Sequence, residues 1–381
     1  MKKSIFRLMG KLTVILLITA GCTKNMKEAV TTANPDSSIS ATGSDSLNNI
    51  AVSVKNSRGV STSGSRSMAT ESASSTRVVI ADNILTAPDS CTQLEIKIWG
   101  DYVYGEHNSI SIDVDGDYVL IGGGAQVTNT SNTNVGVDAL LTAAYPVNDG
   151  NFVTYSAQSK DHGELYYHRL WVYAIGMKLT ACEYLKHFIT RDQIIPYLNI
   201  TSVTSSPAVS KPTAQAPIPS TPVQYLPLSG GAYINYGTGA GNLLMADGVG
   251  MGDLTVSTSL TSSGKDQETV SPATITSYCL SIQSNANIYG FGTFDIVYNN
   301  TVLQSPPLLQ HASTITASVP SGYLVAGMGA WSDQGQVPGG RPLFAMYPSS
   351  GTVATASSKD HLRSDLTGGL LLTVAGIRPH Q

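Results

Sequence analysis

The chain has 381 residues, enough for two or three domains, and only 13% of them are charged against 41% that are apolar. Its 36 glycines and 18 tyrosines favour strands and turns over helices, so we predict an all-β protein. Four of the 22 basic residues and none of the 26 acidic residues fall in residues 1–21, which leaves a net charge of −8 for the rest. A protein this acidic lacks the basic patch that nucleic acids require, and we exclude nucleic acid as a partner.

Residues 1–21 are typical of a secretory signal peptide. Basic residues precede the apolar run Leu12–Ala20, which is shorter than the roughly 20 residues of a membrane-spanning helix. The run ends in Thr19-Ala20-Gly21-Cys22, which resembles the lipobox of bacterial lipoproteins. The resemblance implies lipidation of Cys22, export, and anchoring to a bacterial membrane, with the outer membrane as the expected one. The alternative is an ordinary signal peptide followed by a chance cysteine.

Residues 22–76 are rich in Ser, Thr, Ala and Asn and poor in large apolar groups. Such a stretch cannot bury enough surface to fold, so we predict a flexible stalk. The cysteines beyond Cys22 are Cys91, Cys182 and Cys279. An odd number permits one intramolecular disulfide at most, and Cys91–Cys182 is the pairing to test.

From residue 77 onward, four landmarks recur three times in the same order. A glycine-rich strand ends at Ala125, Ala232 or Ala330, and an apolar pair follows it. The third landmark is a polar tip, with the sequence Ser159-Lys160-Asp161-His162, Gly264-Lys265-Asp266-Gln267 or Ser358-Lys359-Asp360-His361. The fourth is an apolar strand, which contains Tyr173, Tyr278 or Thr373 at equivalent positions.

We therefore predict three tandem modules of about 100 residues, at 77–183, 184–283 and 284–381, each an antiparallel β-sandwich. The only helical candidate is Ala181–Ile195. The pattern of the landmarks resembles a β repeat of secreted bacterial proteins of unassigned function, and this resemblance implies no particular chemistry. The second copy departs from it at Gln267 and at Gly248-Val249. At the level of architecture the modules are similar to six-stranded lectin sandwiches.

The polar tips carry the candidate binding residues. Carboxylate, ammonium and imidazole groups can hydrogen-bond sugar hydroxyls, and a nearby tyrosine can supply a stacking face, so the tips predict a shallow glycan site. Its members are Tyr145, Lys160, Asp161 and His162 in the first module and Tyr347, Lys359, Asp360 and His361 in the third. In the alternative interpretation, the aspartate fixes a turn and the lysine is solvated. The second module favours that alternative for the Lys-Asp pair, because it retains the pair without a histidine.

Two other patterns have structural interpretations that we prefer. Asp113, Asp115 and Asp117 resemble the start of a calcium loop, but their flanks favour a hairpin with an Asp-Gly turn. The glycine runs indicate a bulge or a close approach of strands rather than a phosphate loop. No nucleophile elbow, zinc helix or dinucleotide fingerprint occurs in the sequence. We predict no catalytic residue, metal or cofactor, and a non-enzyme is the favoured class.

These patterns predict a membrane-tethered lipoprotein that acts as a non-catalytic binding module for carbohydrate or another cell-surface polymer. One alternative is a structural or adhesion protein that binds a protein partner through exposed Tyr and Trp side chains, such as Trp99, Trp171 and Trp331. A weaker alternative is a polysaccharide-processing enzyme, which would need paired carboxylates about 5 to 10 Å apart.

Overall fold

The computed structural model describes residues 77–129, 139–161, 167–182, 186–236, 242–247, 258–266, 270–303, 312–333, 342–359 and 369–380. The predicted signal peptide, Cys22 and the stalk lie outside these residues, as do His162, Asp360 and His361 of the tips. Within the described residues the protein is all-β apart from one short helix, which confirms the all-β class predicted from composition. None of the described residues lies in a helix long and apolar enough to cross a bilayer.

The strands follow the chain in short runs separated by turns. They are β1 (Val78–Thr86), β2 (Gln93–Gly105), β3 (Ser109–Asp113), β4 (Val119–Thr128), β5 (Ala139–Pro146), β6 (Thr154–Asp161), β7 (His168–Ala181), β8 (His187–Ile189), β9 (Leu198–Thr204), β10 (Thr213–Pro217), β11 (Tyr225–Asn235), β12 (Asn242–Asp247), β13 (Ser259–Asp266), β14 (Thr274–Gln283), β15 (Phe294–Leu303), β16 (Ala312–Ser318), β17 (Leu324–Asp333), β18 (Leu343–Pro348), β19 (Val353–Lys359) and β20 (Gly369–Pro379). A short helix α1 (Arg191–Ile194) and one 3-10 turn (Ile195–Tyr197) precede β9.

The described strands form three antiparallel sheets. The first sheet has the order β1-β2-β7-β4-β18-β19-β16, with β8 also paired to β7. The second sheet has the order β3-β6-β5-β11-β14-β9, and the third has the order β10-β13-β12-β17-β20-β15. Strands β1 and β8 are additions to the first sheet, and the remaining strands repeat one pattern three times.

Apart from the added strand β8, each sheet combines strands from two of the three predicted segments. Pairing of β4 with β18 joins residues 77–183 to residues 284–381 in the first sheet. Pairing of β5 with β11 joins the first segment to the second, and pairing of β12 with β17 joins the second to the third. The three junctions form a closed cycle, so the segments do not follow one another as separate domains in a linear series.

The glycine-rich strands β4, β11 and β17 approach one another closely. A Cβ atom at Gly122 would overlap the carbonyl oxygen of Ala326, and one at Gly327 would lie 2.6 Å from the Cβ of Ser229. Larger residues would force these strands apart. The interpretation of the glycine runs as sites of close strand approach is therefore confirmed.

The core follows from the alternation of apolar residues along the strands. In β2, for example, Leu94, Ile96 and Ile98 are fully buried while the residues between them are partly exposed until Trp99. One contiguous cluster of buried apolar side chains includes residues from all three segments. The free thiol of Cys279 belongs to a smaller buried cluster with Ala216 and Leu260.

Cys91 and Cys182 form a disulfide, which is the pairing that the sequence analysis named for testing. Their Cα atoms are 5.8 Å apart, and the bond lies beside the ladder in which Gln93 pairs with Thr180. It therefore ties the beginning of β2 to the end of β7, which are neighbouring strands of the first sheet.

The helix predicted at Ala181–Ile195 is largely wrong. Strand β7 continues through Ala181, where it pairs with β8, and helix occupies only Arg191–Ile194. Thr190 and Gln193 form a capping box that starts the short helix. Pairing of Ala181 with His187 of β8 keeps the beginning of this segment in the sheet, so tertiary pairing overrides the local helix propensity there.

The hairpin predicted around Asp115 is also wrong. Strand β3 pairs with β6 in the second sheet, whereas β4 pairs with β7 in the first. The turn after Asp113 therefore carries the chain from one sheet to another. Turn residues mark a reversal of the chain, but they do not identify the strand with which each arm pairs.

Candidate functional site

A row of aromatic side chains crosses one face of the first sheet. The aromatic row consists of Tyr102, Trp171, Tyr173 and Tyr347. Successive ring centroids are 4.7, 6.2 and 5.2 Å apart, and the last two pairs are stacked with interplanar angles of 17° and 22°. The opposite face of the same strands holds fully buried residues such as Val172. Tyr102, Trp171 and Tyr347 are partly exposed, whereas Tyr173 between them is only 6% exposed.

The second sheet carries a related group on one face. The tyrosine cluster consists of Tyr145, Tyr233 and Tyr278. Tyr145 stacks on Tyr278 with ring centroids 4.9 Å apart and an interplanar angle of 20°, and its centroid is 5.6 Å from that of Tyr233. All three side chains are partly exposed.

A glycine explains why rings from non-adjacent strands meet on each sheet. Tyr173 pairs with Gly124, and a Cβ atom at Gly124 would lie 2.8 Å from the Cα of Tyr347 on the far side. Gly231 occupies the same position between Tyr278 and Tyr145. Because each glycine has no side chain, the rings of the two tyrosines can come into contact.

The sequence identified Tyr145 and Tyr347 as stacking residues but missed their partners. Each ring stacks on a tyrosine from another predicted segment. Tyr145 stacks on Tyr278, and Tyr347 stacks on Tyr173. The partners occupy equivalent positions in the fourth landmark, and this shared aromatic character was the available signal. The sequence does not reveal which segments share a sheet.

The hydroxyl groups of these tyrosines are uncharged at neutral pH. Burial raises the pKa of Tyr278 to about 12, and burial raises the pKa values of Tyr145 and Tyr173 above their ordinary range. The Tyr173 hydroxyl donates a hydrogen bond to Oε1 of Gln126 at 2.9 Å. Both faces thus combine stacked rings with neutral hydrogen-bonding groups.

The aromatic row is most accessible at its β2 and β7 end. Tyr104 and Tyr167 are 41% and 51% exposed, with ring centroids 5.6 Å apart. The guanidinium of Arg169 lies 5.1 Å from the ring centre of Tyr102. Planar rings are thus presented to solvent beside a cationic group.

The Lys-Asp pairs lie at strand ends and are more buried than either interpretation of the tips assumed. Lys160, Asp161 and Lys265 are no more than 8% exposed. Burial lowers the pKa of Lys160 and of Lys265, and the Lys160 ammonium lies 5.0 Å from the ring centre of Tyr236. The interpretation of these two lysines as solvated is therefore wrong.

The aspartates of these pairs have side-chain or backbone partners. Asp161 is hydrogen-bonded to His107. Asp266 accepts a hydrogen bond from the backbone N–H of Ser271 at 3.2 Å, as expected for an aspartate that fixes a turn. Lys359 is partly exposed at the end of β19, and its backbone N–H donates to Pro342.

The predicted stacking tyrosines do not lie beside the lysines. Tyr145 is opposite Ser156 in the β5–β6 ladder, whereas Lys160 is opposite Leu140. Four residues along a strand separate these positions by about 13 Å. Tyr347 and Lys359 are related in the same way, because Tyr347 pairs with Thr355 on β19. The tyrosines and the tips therefore belong to opposite ends of each strand pair.

The three aspartates near the first turn point to different partners. Asp113 accepts a hydrogen bond from the Thr154 hydroxyl at 2.6 Å. Asp115 pairs with Arg77 at 2.8 Å, and Asp117 with Lys178 at 3.3 Å. Among the described residues, no group of three His, Cys, Asp or Glu side chains could hold a metal ion.

A separate cleft of about 410 Å³ lies between the β3–β4 turn and α1. Its lining residues are Gly116, Asp117, Lys178, Phe188, Ile189, Thr190, Arg191 and Asp192. Lys178 is paired with Asp117, and Arg191 donates hydrogen bonds to backbone carbonyl groups of the turn, at 3.0 Å for Tyr118. These cations hold the walls of the cleft together.

The tryptophans differ in accessibility. Trp99 is only 2% exposed and packs edge-on against Tyr118 with ring centroids 5.0 Å apart, so its expected exposure is wrong. Trp171 and Trp331 are partly exposed.

Comparison with known proteins identifies no relative. No protein-family model matches the chain, and a search of curated proteins returns no similar sequence.

Proposed function

We propose that this chain is an exported bacterial lipoprotein, anchored through Cys22, that binds saccharide without catalysis. Its three modules of about 100 residues share their sheets, and saccharide binds to the faces of the first and second sheets that carry the aromatic row and the tyrosine cluster. The observation that carries the proposal is the aromatic row, which presents Tyr102 and Trp171 to solvent beside the stacked pair Tyr173–Tyr347.

The chemistry of these faces suits a sugar. A pyranose ring has flat C–H surfaces that pack on aromatic rings and a rim of hydroxyl groups that needs hydrogen-bond partners. Beside the rings are neutral polar groups, namely Gln126 on the first sheet and Ser156, which is hydrogen-bonded to Tyr145, on the second. Few, fixed polar groups around an apolar surface are typical of small-ligand sites.

Two features support export and anchoring. The Cys91–Cys182 disulfide is stable in oxidising compartments outside the cytosol. The resemblance of Thr19-Ala20-Gly21-Cys22 to a lipobox supports lipidation, and acyl chains on Cys22 would give stable membrane attachment. Metabolic labelling with palmitate tests this: wild type should be labelled and membrane-bound, and Cys22→Ser should be neither. A labelled Cys22→Ser protein would overturn the anchoring.

A glycan array on the full-length lipoprotein, purified in detergent, tests saccharide binding. Trp171→Ala and Tyr347→Ala should reduce the strongest array signals at least tenfold. Phe188→Ala is the matched control, because it removes an exposed aromatic ring in the cleft and leaves both faces intact. Folded protein that binds no glycan, or that loses binding equally in Phe188→Ala, would contradict the proposal.

A protein partner is the second candidate, favoured by one observation. Strand β1 is an edge of the first sheet, and its side chains Val78, Val79 and Ile84 are exposed. An apolar edge strand is a template on which another chain can add a strand. This candidate predicts that Val79→Lys releases a protein that otherwise co-purifies, while Trp171→Ala does not.

A further inference from the structure

The third sheet repeats the geometry of the other two faces without their rings. Thr373 pairs with Gly329 in the third sheet, as Tyr173 pairs with Gly124 and Tyr278 with Gly231 in the others. Thr373 is buried, as Tyr173 is at 6% exposure, but the threonine side chain offers no ring for a sugar to stack on.

The position of the second tyrosine of the pair differs as well. In the sequence, Gly248 stands where the other segments have Tyr145 and Tyr347. Trp331 is partly exposed on β17, but it is paired with Leu371 rather than with an aromatic residue. The third face therefore has an indole without the tyrosine pair.

The two faces that carry the pair are not identical. The first sheet adds Trp171 and Tyr102 to its pair, and Arg169 lies over Tyr102. The second sheet adds Tyr233, with Lys160 and Tyr236 farther along the same sheet. Different neighbours around the same pair predict different affinities for the same sugar.

We infer that the chain has two non-equivalent saccharide-binding faces, on the first and second sheets, and none on the third. The inference rests on the proposed function. Because both faces belong to one folded unit, a polysaccharide chain that reaches both gains from the high effective concentration of the second contact. The protein is thus a bivalent binder of polymer and a weak binder of short oligosaccharides.

Calorimetric titration of the full-length lipoprotein in detergent tests the number of sites. The probes are four neutral hexasaccharides, built from glucose, N-acetylglucosamine, mannose and xylose. For any hexasaccharide that binds, wild type should take up two molecules per chain. Tyr347→Ala and Tyr145→Ala should each take up one, and the double variant should take up none. Thr373→Ala should still take up two.

Ring-retaining variants keep the test valid if an alanine variant fails to fold. Tyr347→Phe and Tyr145→Phe preserve the stacked rings and should retain two sites. Binding with a stoichiometry of one or three in wild type, or loss of a site in Thr373→Ala, would overturn the inference and leave the proposed function standing. If none of the four probes binds to folded protein, both the proposed function and the inference fail.

Discussion

Tyr173 stacks on Tyr347 with ring centroids 5.2 Å apart, although strand β4 lies between their own strands. Gly124 makes this possible because it places no side chain between the rings. The contact joins the first predicted segment to the third, and Tyr145 with Tyr278 joins the first to the second in the same way. Both of these stacked tyrosine pairs thus lie at junctions where segments share a sheet.

The stacked pair should contribute measurable coupling energy. In a double-mutant cycle with Tyr173→Leu and Tyr347→Leu, we expect a coupling of about 1 kcal/mol in the free energy of unfolding, since stacked aromatic pairs contribute about 0.5–1.5 kcal/mol beyond their buried area. Urea denaturation of the four proteins measures it. The cycle of Tyr104→Leu with Tyr347→Leu is the control and should be additive. Additivity in the first cycle would show that the rings do not interact.

A side chain at Gly124 should destabilise the protein. A Cβ atom there would lie 2.8 Å from the Cα of Tyr347, in backbone that cannot move without separating β4 from β18. We expect Gly124→Ala to lower the free energy of unfolding by about 2–3 kcal/mol, as overpacking does in dense interiors. Gly116→Ala is the matched control, because no atom lies within 4 Å of a Cβ placed there. Equal stability of the two variants would contradict the close approach.

Loss of the disulfide should lower stability strongly. Cys91 and Cys182 are separated by 91 positions, and closing a loop of that length stabilises the folded state by about 4 kcal/mol. The double variant Cys91→Ser/Cys182→Ser should lose this amount in urea denaturation. Dithiothreitol should destabilise wild type to the level of the double variant and leave the double variant unchanged. If dithiothreitol lowered the stability of the double variant further, its effect would not be due to the disulfide alone.

Stability should fall in alkaline solution, first through Cys279. Burial raises the pKa of this thiol to about 12, whereas in the unfolded chain it ionises near pH 9. The folded protein therefore holds more protons between these values, so the free energy of unfolding decreases as pH rises above 9. Tyr278 adds to the decrease above pH 10, since its folded pKa is also about 12.

Urea denaturation at pH 8, 9, 10 and 11 measures this decrease. Cys279→Ala should remove the part that begins near pH 9 and retain the part due to tyrosine ionisation. If wild type and Cys279→Ala lose stability equally between pH 9 and pH 10, the thiol does not titrate on unfolding as expected.

Composition and local pattern were sufficient for part of the fold. Glycine and tyrosine content predicted an all-β protein, and the register of Gly124 with Gly231 pointed to close strand approach. Both properties depend on residue type at a position, which the sequence states directly. Counting the cysteines showed only that one disulfide at most could form, and the structure identifies Cys91–Cys182 as that bond.

Pairing partners could not be predicted in the same way. The Asp113 turn was interpreted as a hairpin because local sequence does not distinguish a reversal within one sheet from a crossing between sheets. The partner of Tyr347 was missed for the same reason, because Tyr173 is far away in sequence and belongs to another segment. Which strands meet is decided by the burial of the whole apolar surface rather than by any short pattern.

The closed cycle of strand pairing affects how the protein unfolds. If one segment detached, two of the three junctions β4–β18, β5–β11 and β12–β17 would break, and two sheets would expose apolar faces and unpaired edges at once. Partial unfolding is therefore penalised nearly as heavily as complete unfolding. We expect one cooperative transition in scanning calorimetry, with calorimetric and van't Hoff enthalpies that agree. Three separable transitions would instead indicate three independent domains. The number of transitions therefore tests whether the segments unfold together because they share sheets.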